Sequence, residues 1–150
     1  MKLNHWLYIW LLAPIAACQN NSSTKIDQEH ATSVATVQNC YTYVKNRDTA
    51  SLTTMVSGHI VTGELNYRLY EKDANTGTIK GEMIGDTLVA DYTFLSEGKQ
   101  SVRQVAFLEK NGSLKEGFGE VVEANGRMVF KDISTLKFGE TTEFLKTDCK

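Results

Sequence analysis

Proline is almost missing from this chain of 150 residues: its single copy is Pro14, so no later segment loses a backbone N–H to a pyrrolidine ring. Glycine is missing only from the first part, because all eleven copies fall between Gly58 and Gly139. Histidine is scarce. His5, His30 and His59 have no His/Cys ligand spacing, and a zinc centre needs three or four convergent ligands. No GxSxG elbow surrounds Ser22, Ser23, Ser33 or any other hydroxyl, so no nucleophile stands out. An excess of one charge is also lacking. Sixteen Lys and Arg stand against 18 Asp and Glu, interspersed along the chain, which describes a solvated surface without the clustered cationic face that nucleic acid requires. No apolar run reaches the roughly 20 residues of a membrane-crossing helix.

What the first residues do contain is Lys2, an apolar stretch over residues 6–12, and the run Leu12-Ala13-Pro14-Ile15-Ala16-Ala17-Cys18. A cysteine behind small residues at the end of such a segment points to processing and lipid attachment. The run resembles the bacterial lipoprotein box, which is cut just before the Cys after its thiol is acylated. The resemblance covers 18 residues. It implies a signal peptide at residues 1–17, lipidation at Cys18, membrane as a partner through that lipid, and a place in the bacterial cell envelope, with the periplasmic or outward side left open.

Processing there leaves 133 residues, one domain's worth, in which removal of Lys2 gives 15 basic against 18 acidic side chains. If lipid consumes Cys18, then Cys40 and Cys149 form an even pair in an oxidising compartment, and a bond between them would close about 110 residues. Two free thiols, one of them reactive, are the alternative. Neither lies in a CxxC pair or beside a His base.

Residues 18–26 have too few apolar side chains to offset ordering and read as a tether, followed by one β-rich domain over residues 27–150. At its start, Val34, Val37 and Tyr41 recur at spacings of three and four, which predicts a short helix over residues 27–39 capped by Asp27.

Turn signals then recur at residues 75–77, 85–86, 97–98, 111–112 and 125–126, in the rhythm of an antiparallel meander. Between them, Val61, Leu65, Tyr67 and Leu69 share one phase, as do Leu88, Ala90, Tyr92 and Phe94. Strands are predicted over residues 52–57, 61–69, 78–84, 88–94, 101–109, 113–122, 127–131 and 141–147. The fold class is all-β, a curved antiparallel meander of about eight strands. With one short helix to cover a sheet that large, closure into a barrel is favoured over a β-sandwich, and Gly63, Gly81, Gly117 and Gly119 inside strands suit the curvature. Residues 51–147 are similar in architecture to small lipocalin-like or META-like exported barrels, without a motif that carries functional residues across.

Glu64, Glu82, Asp91 and Glu120 are the carboxylates from which an acid and base pair for glycoside hydrolysis would be drawn, if they converge. Residues 73–77 resemble the start of a calcium loop but lack its third acidic ligand and have Ile84 at position twelve, so a hairpin turn is expected there and no cofactor is expected at all. The aromatic set offers more. Tyr67, Tyr92, Phe94 and Phe107 are candidates for lining a barrel cavity, with Arg68 and Arg103 as polar fixtures, although Tyr41, Tyr43, Tyr70 and Phe118 belong to the same set and rings can equally fill a solid core. A cavity implies a noncatalytic binding module for an apolar or amphipathic envelope ligand. A solid core implies an envelope protein as partner instead, in a structural or interaction role, with a carboxylate-dependent hydrolase as the distant third reading.

Overall fold

The computed structural model describes residues 34–72, 74–96 and 98–149. Strands β1 (Thr36–Lys45), β2 (Asp48–Ser57), β3 (Ile60–Arg68), β4 (Asn75–Ile84), β5 (Thr87–Ser96), β6 (Lys99–Lys110) and β7 (Ser113–Phe118) form an up-and-down meander. The chain then makes an excursion through β8 (Val121–Ala124), β9 (Arg127–Phe130) and a 3-10 turn at Ile133–Thr135, before β10 (Lys137–Thr147) returns between β7 and β1. Pairing of β5 with β6 completes the ring, so β1 to β7 and β10 make a closed eight-stranded antiparallel barrel. Closure removes the open edges that a flat sheet would present.

Two-residue turns set the register of this meander. Asn111 and Gly112 both have positive φ, as do Asn125 and Gly126, the backbone combination whose twist matches that of the flanking strands. Asn46 supplies positive φ between β1 and β2, where no glycine is available. The turn at residues 46–47, the end of β3, the start of β4 and the paired Ser96 and Lys99 lie at one end of the barrel; the turns at 58–59, 85–86 and 111–112 lie at the other.

Three expectations change. The segment expected to be helical is strand β1 from Thr36 onward, paired along its length with β2 and through Cys40, Tyr41 and Thr42 with β10; residues 27–33 of that segment lie outside the described residues. Its period-two set, Val37, Asn39, Tyr41 and Tyr43, wins because it can face the barrel interior on both neighbours. Residues 75–77 are not a turn but the start of β4, paired with Leu65, Asn66 and Tyr67 of β3. The run expected as one strand over residues 113–122 breaks after Phe118, and its second part belongs to the β8–β9 hairpin outside the ring.

Inward residues fill the middle of the barrel. Leu52, Leu65, Ile79, Leu88, Tyr92, Phe107 and Phe144 have essentially no exposure, and the rings meet in a chain from Tyr43 through Phe144 to Phe107 and Tyr67, then to Tyr92 and Phe94. Phe144 stands edge-on to Phe107 at 5.5 Å, and Tyr92 stacks on Phe94 at 4.7 Å. Room for these rings comes from small partners directly across: Ala50 opposite Tyr67, and Gly77 opposite Phe94. A Cβ on Gly77 would run into the backbone of Thr93 and Phe94.

Cys40 and Cys149 are joined by a disulfide with Cα atoms 5.3 Å apart, tying β1 to the residues after β10. The bond spans a sequence separation of 109, for which chain entropy predicts a contribution of up to about 4.7 kcal/mol. Cys149→Ser should therefore lower the chemical denaturation midpoint sharply while leaving far-UV circular dichroism unchanged. Reducing agent should do the same to the wild type and nothing further to the variant.

Candidate ligand-binding site

Strand β6 outruns its neighbour. The last β6–β7 pair toward the start of β6 is Ala106 with Gly117, and beyond it the edge of β6 turned away from β5 pairs, among the described residues, with Met128 of β9 in a single parallel bridge from Arg103. A seam opens there between β6 and β7. The β8–β9 hairpin lies against it, held by the Phe130 N–H donating to Gln104 Oε1 at 3.0 Å and by the ion pair of Arg127 with Asp91.

The seam leads into a cavity of about 460 Å³. Phe94, Val105, Phe118, Val121, Met128 and Phe130 give it apolar walls, while Arg103 and Glu116 enter from the inward faces of β6 and β7. Phe118, Val121 and Met128 are 53%, 44% and 41% exposed, an apolar cluster that is costly to leave in water. Below it the barrel is packed, so the cavity is a cup and not a channel.

Its floor is polar. The Tyr67 hydroxyl donates to Glu116 Oε1 at 2.7 Å, across the interior from β3 to β7. The Arg103 guanidinium lies 5.4 to 5.5 Å from the ring centroids of Tyr67, Tyr92 and Phe94, a cation sheltered by three aromatic rings. No carboxylate among the described residues comes within ion-pair distance of it. Arg103 Nε and the Tyr92 hydroxyl are buried without a hydrogen-bond partner, and such groups cost about 1 to 3 kcal/mol each when left so. Burial pushes the Tyr92 hydroxyl up to about 12 despite the opposing pull of Arg103, so it stays protonated as a donor. Burial likewise raises the Glu116 carboxyl above its ordinary range, against the lowering effects of the Tyr67 bond and of Arg103.

Among the residues singled out from the sequence, Tyr67, Tyr92, Phe94 and Arg103 come together around this floor. Phe107 sits deeper, fully buried against Phe144, and Arg68 is exposed on the outer face of β3. Of the other rings, Tyr41 and Tyr43 are in the core, and Tyr70 is in the exposed turn after β3 under the Arg47 guanidinium. Glu64, Glu82 and Asp91 point outward, and Glu120 pairs with Lys131 near the hairpin, so these carboxylates do not converge. His59 is exposed in a turn, and no cluster among the described residues could hold a metal ion. Cys18 and His30 lie outside the described residues.

Glu116 escaped the sequence reading although a signal was there: Leu114, Glu116 and Phe118 share one phase of a strand, and a carboxylate in an apolar phase is where burial and chemistry meet. Two other hollows are less suited to a ligand. One of about 230 Å³ at the disulfide end is smaller than ordinary ligand pockets, and one of about 800 Å³ is an open groove on the outer face, floored by solvated side chains such as Lys80 and Glu82. Comparison with protein-family models, with curated proteins and with solved structures found no match.

Because folding raises the affinity of Glu116 for its proton, this group favours the fold in acid, and that contribution is lost as pH climbs through the folded-state value. Glu116→Gln keeps an acceptor for Tyr67 and carries no charge at any pH. Its melting temperature should match the wild type below about pH 4 and exceed it at neutral pH, the gap opening as pH rises. A constant difference across that range would mean that Glu116 is not the titrating group.

Proposed function

We propose that this protein is a noncatalytic small-molecule binding module of the cell envelope, anchored through lipid on Cys18, which takes an amphipathic ligand into the cup between β6 and β7. One observation carries the reading: a cup of about 460 Å³ with an apolar rim and Arg103 in its lining, within the size range of ordinary ligand sites. A barrel of this kind is consistent with a binding module at the level of the fold. The packed middle of the barrel is what the interaction-protein alternative expects, but an inward Arg103 with no carboxylate in ion-pair contact among the described residues favours the cup as a binding site.

The envelope part of the reading rests on the lipobox-like run ending in Cys18. Metabolic labelling with a fatty acid should mark the wild type and not Cys18→Ser. Label on the Ser variant would overturn the anchor without touching the cup.

For the cup itself, native mass spectrometry of the full chain after mild extraction should find an adduct of small-molecule mass. Ser101→Trp, which places a large ring in the lining at a position opposite Phe94, should lose it while retaining the fold. An adduct undiminished in that variant, or a wild type that never carries or takes up one, would put the interaction role ahead of the binding role.

A further inference from the structure

The floor of the cup has a surplus of donors. Arg103, which lines the cup, presents a planar fork of N–H groups, and behind it its own Nε and the Tyr92 hydroxyl are buried without a partner. Glu116, the carboxylate in the lining among the described residues, is already engaged: it accepts from Tyr67 and is not in ion-pair contact with Arg103. What would complete this arrangement is an acceptor with a negative charge and two oxygens. We propose, building on the binding role above, that the ligand carries a monoanionic carboxylate head, held by the Arg103 guanidinium, with its apolar body against Phe118, Val121, Met128 and Phe130.

Charge counting narrows the head group. Among the described residues Arg103 is the one Lys or Arg that lines the cup, so one cation faces the head. Glu116, on the neighbouring strand, repels a second negative charge more than a first. A dianionic phosphate head would therefore be matched by one cation and opposed by one carboxyl, whereas a carboxylate takes the guanidinium in two parallel bonds. Three rings around the guanidinium hold its plane and keep water from it, which strengthens the contact.

The test uses the full chain and three probes of one chain length, decanoic acid, decanol and decyl phosphate, offered together at equal concentration at pH 7 and resolved by adduct mass in native mass spectrometry. Decanoate should outcompete decanol by about tenfold or more, the least expected from one charge-assisted hydrogen bond. In Arg103→Met, which retains bulk among the rings, decanoate should fall to the level of decanol while decanol binding persists. Arg103→Lys keeps the charge without the fork and should show an intermediate preference, which preserves the test if the Met variant does not fold. Equal binding of decanoate and decanol by the wild type, or a preference for decyl phosphate, would overturn the carboxylate assignment and leave the binding role standing. Failure of all three probes in a protein that also carries no native adduct would bring down the binding role itself.

Discussion

Everything in this barrel depends on fitting large rings inside a ring of eight strands. Tyr67, Tyr92, Phe94, Phe107 and Phe144 cannot share so narrow an interior unless other inward positions give up volume, and Ala50, Gly63, Gly77, Gly81 and Ala90 do so on β2 to β5. Two of these exchanges are between directly paired residues, Tyr67 with Ala50 and Phe94 with Gly77. The same device recurs on the outside, where Gly117 of β7 accepts the ring of Phe138 from β10. Small-to-large alternation thus fixes both the coiling of the sheet and the register in which β10 closes it.

The packed middle has a consequence at the open end. Rings stacked from Phe144 up to Phe94 leave Tyr67 and Tyr92 with their hydroxyls directed to the last polar layer, where only β6 and β7 can supply partners. Glu116 meets one hydroxyl and nothing meets the other. A protein that sought only stability would do better with apolar side chains at residues 103 and 116, since a buried charge is a weak source of stability. The half-buried Arg103 and the buried Glu116 in the lining of the cup instead suit the binding role proposed for it.

Much of the barrel was legible in the chain. Strands β3 and β5 alternate so regularly that their inward faces follow from Val61, Leu65, Tyr67 and from Leu88, Ala90, Tyr92, all of which are buried. Asn-Gly at residues 111–112 and 125–126 can do little but turn, and two cysteines left over from the lipobox-like run had only each other. Strand β1 was hidden because Val34, Val37 and Tyr41 fit a helical period as well as Val37, Asn39, Tyr41 and Tyr43 fit a strand, and the deciding partner, β10, lies about a hundred residues away. Asn75 and Gly77 have the composition of a turn, yet Gly77 is needed opposite Phe94 as empty space. The floor of the cup was half legible. Rings and Arg103 share inward phases that a sequence displays, but the opening itself comes from β6 running past the end of β7, and strand lengths of neighbours are a property of the closed sheet.

That same mismatch places a second element in the site. The β8–β9 hairpin supplies Val121, Met128 and Phe130 to the cup, and its bridge to the barrel is through Met128 to the backbone of Arg103, the residue at the centre of the floor. Apart from that bridge, its polar ties to the barrel strands among the described residues are Phe130 to Gln104 and Arg127 to Asp91, the second partly exposed and so worth little in water. A ligand seated between the hairpin and the barrel would add apolar contact across a junction that the protein holds with few bonds of its own. Linkage makes the effect mutual: whatever strengthens the attachment of the hairpin strengthens the ligand's hold by the same factor, and the reverse. Residues far from the floor, such as Asp91 and Arg127 on the outer face, thereby acquire a route to ligand affinity without touching the ligand.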